Sequence, residues 1–489
     1  MNSTTRRDLL ANYAGRVVSV LASLAVLPSY RDLLGPERFG VVAFFTMIQS
    51  LLATLDAGLG AAFLQRISRT LGDEARRHEL PDVVATFAAL AAVLALVTAA
   101  LVAAASPAIP PLLRVHESTS RETTIATLAM AIVLASWWPT TFFQGALLHL
   151  GRQPESNATN ATFAVLRAAL TYGALRWWDA SLLGFSAPQA CLSLAQVSFL
   201  AARVRMALPA GALGIPRAAM VRAEISTAIA LGGASLLGIV ITNTDRVAIT
   251  ALRPVADLGT YGFATLAMTA AAQVIAPVYA TYYPRLCELR DPVALEQVYL
   301  EAHRAALSLA LPVTLSLAAY GPTILQLWTG DVGVAAAAGQ ALTILSLAAA
   351  VNAPLQIVLA LAYALQRAGD VARLQTVGAL VFGLVCPALV WRFGIDGAAS
   401  ATLLFNLALA IPFSLRTHRA LGTGATTRRW LETVVPTVAP IVLVTAVGAW
   451  IARATDTLSL QLATTVLGSF TTGAIGLAHL GQARAQPAR

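Results

Sequence analysis

Apolar runs of about 20 residues, each closed by a short polar break, recur from residue 11 to residue 480. A helix rises about 1.5 Å per residue and the hydrocarbon core of a bilayer is about 30 Å thick, so each run is long enough to cross it. The pattern predicts spans at 11–34, 39–64, 81–105, 123–148, 159–178, 181–202, 225–251, 261–284, 303–328, 334–364, 374–392, 396–415, 432–452 and 457–480. The fifth and sixth are the hardest to separate, because only Trp177, Trp178 and Asp179 lie at their junction. The expected fold class is an all-α polytopic membrane protein with about 14 transmembrane helices.

Composition agrees with this reading: 57% of the 489 residues are hydrophobic and 12% are charged, more apolar surface than a soluble core could bury. The formal charge of +9 would suggest nucleic acid if it were clustered, but the basic residues sit in the breaks between spans, so no nucleic-acid partner is expected. Every one of the 33 is an arginine. With the N-terminus inside, roughly two thirds of them fall in inside segments and about a quarter outside, which favours an even span count with both termini cytoplasmic. Arg6-Arg7 ahead of an apolar stretch resembles a twin-arginine signal, yet Arg16 interrupts that stretch and it is long enough to be retained as a first span. Cys191, Cys287 and Cys386 are too widely spaced to make a disulfide framework or a metal site, and the six histidines have no metal-ligand spacing. No cofactor is expected.

Two pairs of segments repeat. LGPERFG (Leu34 to Gly40) is echoed by LGTYG (Leu258 to Gly262), and the stretch closing span four through Leu150-Gly151-Arg152-Gln153 is echoed by Gln366-Arg367-Ala368-Gly369-Asp370 after span ten. The offset of about six spans predicts two six-helix lobes in pseudo-twofold arrangement plus two C-terminal helices. The expected boundaries are 1–202 for the N-terminal lobe, 203–224 for a cytoplasmic linker, 225–415 for the C-terminal lobe and 416–489 for the added helices and tail. Leu-Gly-aromatic-Gly is also ordinary turn chemistry.

The Asn-Tyr start of span one, LGPERFG, Asp-Ala-Gly-Leu at 56–59, Asn243-Thr244-Asp245-Arg246 followed by LGTYG, and FGIDGAA (Phe393 to Ala399) together resemble the Wzx-like polysaccharide flippases. These are O-antigen and exopolysaccharide exporters of the multidrug/oligosaccharidyl-lipid/polysaccharide superfamily. The resemblance runs from residue 8 to about 415. It implies an alternating-access transporter, not an enzyme, that moves undecaprenyl-diphosphate-linked oligosaccharide from the cytoplasmic to the periplasmic leaflet of a bacterial inner membrane. The partners it implies are that anionic polyprenyl diphosphate and membrane lipids, with a polysaccharide polymerase and a chain-length regulator as further candidates.

A charge at mid-bilayer costs about 2.5–3.5 kcal/mol, so each one inside a span asks for a partner or a wet cavity. Arg16 lies about 8 Å, and Asp56 and Arg167 about 12 Å, from the inside end of their spans; Asp245 and Arg246 lie about 8 Å from the outer end of theirs. The functional reading gives Arg16, Arg167 and Arg246 to the diphosphate, because guanidinium groups bind phosphate oxygens in bidentate hydrogen bonds. Asp56 and Asp245 would balance charge or couple an ion. Gln49, Gln144, Asn160, Asn352 and Gln356 are candidates for sugar hydroxyls. The bland readings are snorkelling for Arg16, an outer anchor for Arg246, a buried pair with Asp56 for Arg167, a turn role for Asp245 and helix–helix glue for the amides.

Two other functions compete. A multidrug or cation antiporter of the same superfamily should offer carboxylates to its cargo, whereas three arginines stand against two aspartates within these spans. A membrane-embedded polymerase or glycosyltransferase needs acidic catalytic residues in large loops, and the outer loops are mostly under about 15 residues.

Overall fold

The computed structural model describes residues 3–208, 214–273, 275–422, 426–454, 467 and 471. All regular structure among them is helical: α1 (Ser3–Gly72), α2 (Leu80–Ala105), α3 (Ile109–Leu113), α4 (Glu117–Ala135), α5 (Trp137–His149), α6 (Gln153–Trp177) and α7 (Leu182–Ala207), then α8 (Ala218–Leu252), α9 (Val255–Ala272), α10 (Ala276–Glu288), α11 (Pro292–Thr329), α12 (Val332–Ala364), α13 (Ala368–Leu421) and α14 (Thr426–Arg453), with short 3-10 turns at Glu74–Glu79 and Ser106–Ala108.

The all-α membrane character stands, but the expected number of spans does not. Among the described residues eight helices are long and apolar enough to cross a membrane, or up to nine if the bent pair Val255–Ala271 and Ala276–Glu288 forms one span. The arrangement of two six-helix lobes with two added helices rested on the count of fourteen and falls with it. The difference has identifiable causes. The runs 11–34 and 39–64 join in α1, where the backbone leaves the helix at Gly35 (φ 78, ψ 166), and the runs 374–392 and 396–415 join in α13 through Gly394 (φ 62, ψ −139). Positive φ of this kind is open to glycine at little cost. Helix α6 covers 159–178, yet Arg167, Arg176 and a polar first half keep it out of the apolar set. The run 457–480 lies outside the described residues.

The chain divides into two compact units, Met1–Arg246 with Pro254–Gly259, and Val247–Arg253 with Thr260–Arg489. In the first, Phe63, Phe87 and Phe142 meet at ring-centroid distances of 4.4 and 5.0 Å within a core that includes Ile67, Val83, Leu147 and Leu200. The LGPERFG bend is tied down by its own charges. Arg38 Nε donates to Glu122 Oε2 (3.0 Å), Glu37 accepts from the His116 backbone N–H (2.7 Å), and the other oxygen of Glu122 accepts from the Leu182 N–H at the start of α7 (2.5 Å). Ser181 caps α7 by accepting from the Leu183 and Gly184 N–H groups.

In the second unit Asp291 and Asp331 cap α11 and α12, and the core gathers Tyr299, Ala302, Ala306, Ile357, Val358 and Leu361. Small residues let α11 and α12 approach closely, as is usual where lipid supplies no hydrophobic drive. Helix α14 is held to α11 by polar contacts: Arg429 to the buried Glu296 (2.7 Å) and Trp430 Nε1 to His303 Nε2 (2.9 Å). Tyr299, beside them on α11, bonds His418 of α13 (2.8 Å). Trp430→Ala removes a large ring and one of these bonds and is expected to lower stability by about 3 kcal/mol, read as a lower melting temperature of the detergent-purified protein.

Candidate functional site

Helix α6 starts from a turn that the sequence repeats. After α5 the chain passes through Gly151 (φ 75), the Arg152 N–H bonds the Leu147 carbonyl at 2.8 Å, and the Arg152 side chain reaches Glu155. After α12 it passes through Gln366 (φ 59), the Arg367 N–H bonds the Ala362 carbonyl at 2.9 Å, and Arg367 reaches Asp370. Positive φ is easy for Gly151 but uncommon for a residue such as Gln366, so the second unit keeps the same turn without the glycine.

About one and a half turns beyond Glu155 the amide of Asn160 enters a network that joins α5, α6 and α7. Gln144 Nε2 of α5 and Gln196 Nε2 of α7 both donate to Asn160 Oδ1, at 2.5 and 3.1 Å. Arg167, two turns further along α6, donates through Nη2 to Gln196 Oε1 (3.0 Å) and, more weakly, to Ser193 Oγ (3.4 Å). Its Nε is buried without a partner, and no carboxylate lies within ion-pair distance of it among the described residues. A half-buried guanidinium whose described acceptors are neutral is not paired off by a carboxylate and has an unused N–H, which is what an anion requires.

The second unit holds a neutral counterpart. Gln356 Nε2 donates to Asn352 Oδ1 (2.9 Å), Asn352 Nδ2 to Asn406 Oδ1 (2.8 Å) and Asn406 Nδ2 to the Thr402 carbonyl (3.0 Å), linking α12 to α13 with no charge in the chain.

The residues selected from sequence therefore fall into groups. Gln144, Asn160 and Arg167 come together in one unit, and Asn352 and Gln356 in the other. Gln49, half-buried on α1, joins neither set. Asp245 is buried and its Oδ1 accepts from the Arg246 backbone N–H at 2.8 Å, so this pair is tied locally in α8. The side chains of Arg16 and Asp56 lie outside the described residues. Ser193 and Gln196 were not selected. Their signal is a polar stripe, Gln189, Ser193 and Gln196, at helical spacing within an apolar run.

A family model described as "Polysaccharide biosynthesis protein" matches residues 6–290. No curated protein matches. Among solved structures, lipid II flippase MurJ in an inward closed conformation superposes with a TM-score of 0.69 at 10% identity, covering 96% of this chain and 98% of that one. The Vibrio cholerae MATE transporter VcmN in the bent form gives 0.56 at 15% identity, covering 88% of this chain and 100% of that one. A superfamily transporter from Pyrococcus furiosus, described as having a binding pocket of reversed polarity, gives 0.53 at 16%, covering 86% and 95%. At such identities these likenesses show a shared fold.

Proposed function

Since the chain belongs to the polysaccharide biosynthesis protein family, which its residues 6–290 match, we propose that it is a flippase for undecaprenyl-diphosphate-linked oligosaccharide repeat units. It carries them from the cytoplasmic to the periplasmic leaflet of a bacterial inner membrane by alternating access, with both termini cytoplasmic. The single observation that carries this reading is Arg167, a half-buried cation whose partners among the described residues are neutral and whose Nε–H is spare. The chemistry fits the cargo: the polyprenyl tail prefers hydrocarbon, so the protein must shelter only the diphosphate and the sugar. Arg167 takes the diphosphate, and the amides of Gln144 and Asn160 in the same unit offer donors and acceptors to sugar hydroxyls; Asn352 and Gln356 are candidates for the same chemistry within the second unit. Arg16 and Arg246 add positive charge, with Asp56 and Asp245 balancing it. The polysaccharide polymerase and the chain-length regulator would receive the product.

The neighbouring MurJ, named as a flippase for a lipid, supports this reading over the multidrug one. So does charge, because a cationic drug would meet a guanidinium at Arg167 where it needs a carboxylate. Depleting the protein in the producing bacterium is expected to leave lipid-linked oligosaccharide accumulating in the membrane and to remove the surface polysaccharide. Surface polysaccharide at its normal level after depletion contradicts the assignment.

A further inference from the structure

The network around Arg167 fixes its own polarity. A guanidinium can only donate, so the group facing it from Gln196 must be the carbonyl Oε1. That turns the Gln196 Nε2 toward Asn160, which must then present Oδ1, and Gln144 must meet the same oxygen with its Nε2. One cation thus sets the orientation of three amides that would otherwise be free to flip. The consequence lies at the far end: among the described residues the Nδ2 of Asn160 donates to no partner, while at the other end of the chain of bonds the Arg167 Nε is also unused. Both free ends are donors, and each bond in the chain polarises the next.

We propose that Gln196 is a positioning residue that sets the sign of charge this site accepts. By accepting from Arg167 without neutralising it, Gln196 keeps both the guanidinium charge and the uncommitted NH2 of Asn160 for an anionic headgroup, of the diphosphate class. A carboxylate at 196 has nearly the same shape but reverses the site. It pairs with Arg167 as an ion, and it can offer Asn160 only oxygen, so the Asn160 amide turns over, Gln144 turns with it to present Oε1, and the uncommitted end of Asn160 becomes the acceptor Oδ1. Gln196 is 7% exposed, so solvent does little to screen that change. The proposal rests on the reading of Arg167 as the anion-binding residue.

The test uses the full-length protein in nanodiscs and two probes: undecaprenyl diphosphate, and the lipophilic cation tetraphenylphosphonium. Gln196→Glu is expected to weaken diphosphate binding at least tenfold and to gain measurable binding of the cation. Gln196→Leu, which removes the acceptor without adding charge, is expected to weaken diphosphate binding about threefold with no gain for the cation. Arg167→Ala serves as the reference and loses diphosphate binding more than tenfold. If Arg167→Ala loses the diphosphate while Gln196→Glu binds both probes as the wild type does, the role of Gln196 is overturned and the anion reading survives. If Arg167→Ala binds the diphosphate normally, the underlying reading itself is overturned. A residue that merely glued helices would lower the melting temperature in both Gln196 variants and leave the ratio of the two affinities unchanged, and that result also overturns the proposal.

Discussion

Arg167→Ala is expected to abolish rescue of a flippase-deficient strain while the protein still reaches the membrane at normal level. Removing the guanidinium leaves Gln196 Oε1 and Ser193 Oγ without their donor, but both are neutral and can be reached by water or reorient, so the fold loses about 1–2 kcal/mol. Transport loses far more, because the charge that offsets desolvation of a diphosphate is gone, and a charge-assisted pair of this kind contributes several kcal/mol in a low-dielectric site. Arg167→Lys keeps the charge but has no planar fork with which to hold both Ser193 and Gln196 and still present an N–H, so it should retain only partial function. Normal surface polysaccharide with Arg167→Ala, at equal protein level, removes Arg167 from transport.

The second large effect is on folding. A Cβ placed on Gly184 would lie 1.9 Å from the Asp179 carbonyl oxygen, and one on Gly397 would lie 2.0 Å from that of Leu389. Both obstacles are backbone, so no side-chain rotation relieves them; each turn must open to admit even a methyl group. Gly184→Ala and Gly397→Ala are each expected to cost on the order of 3 kcal/mol, and together enough to unfold much of a marginally stable protein. Thermal melting of the purified variants measures this. Gly383→Ala is the control: a methyl group there meets nothing within 4 Å and should leave the melting temperature unchanged or raise it slightly. If the two crowded positions melt like the control, the tight helical turns they build do not hold in the folded protein.

The helical membrane fold was legible because hydropathy acts over whole turns and leaves a chain this apolar no other way to satisfy its backbone. Span number was less legible, since it depends on single residues. LGPERFG and FGIDGAA read as links between separate spans, yet the backbone departs from the helix at Gly35 and Gly394 and continues as helix on either side. Arg167 could be found because a mid-span charge is costly and therefore conspicuous. Gln196 was less conspicuous: its polar stripe with Gln189 and Ser193 is a weak signal, because an amide inside an apolar run costs little by itself, and its meaning comes from facing Arg167 across the α6–α7 contact. Asn352 and Gln356 share a helix one turn apart, whereas Asn406, a polar residue of the next helix, meets them only through the packing of α12 on α13. Spacing along a helix can be read from the chain; a meeting of two helices cannot.

The most direct measurement is translocation itself. Purified protein is reconstituted into liposomes carrying an undecaprenyl-diphosphate oligosaccharide in one leaflet, and the fraction that becomes accessible to an impermeant glycosidase on the other side is followed with time. The wild type should expose the lipid-linked sugar much faster than protein-free liposomes, and Arg167→Ala should match the protein-free rate. A wild-type rate no faster than protein-free liposomes, or an Arg167→Ala rate equal to the wild type, contradicts the central claim that this half-buried guanidinium carries an anionic lipid head across the membrane.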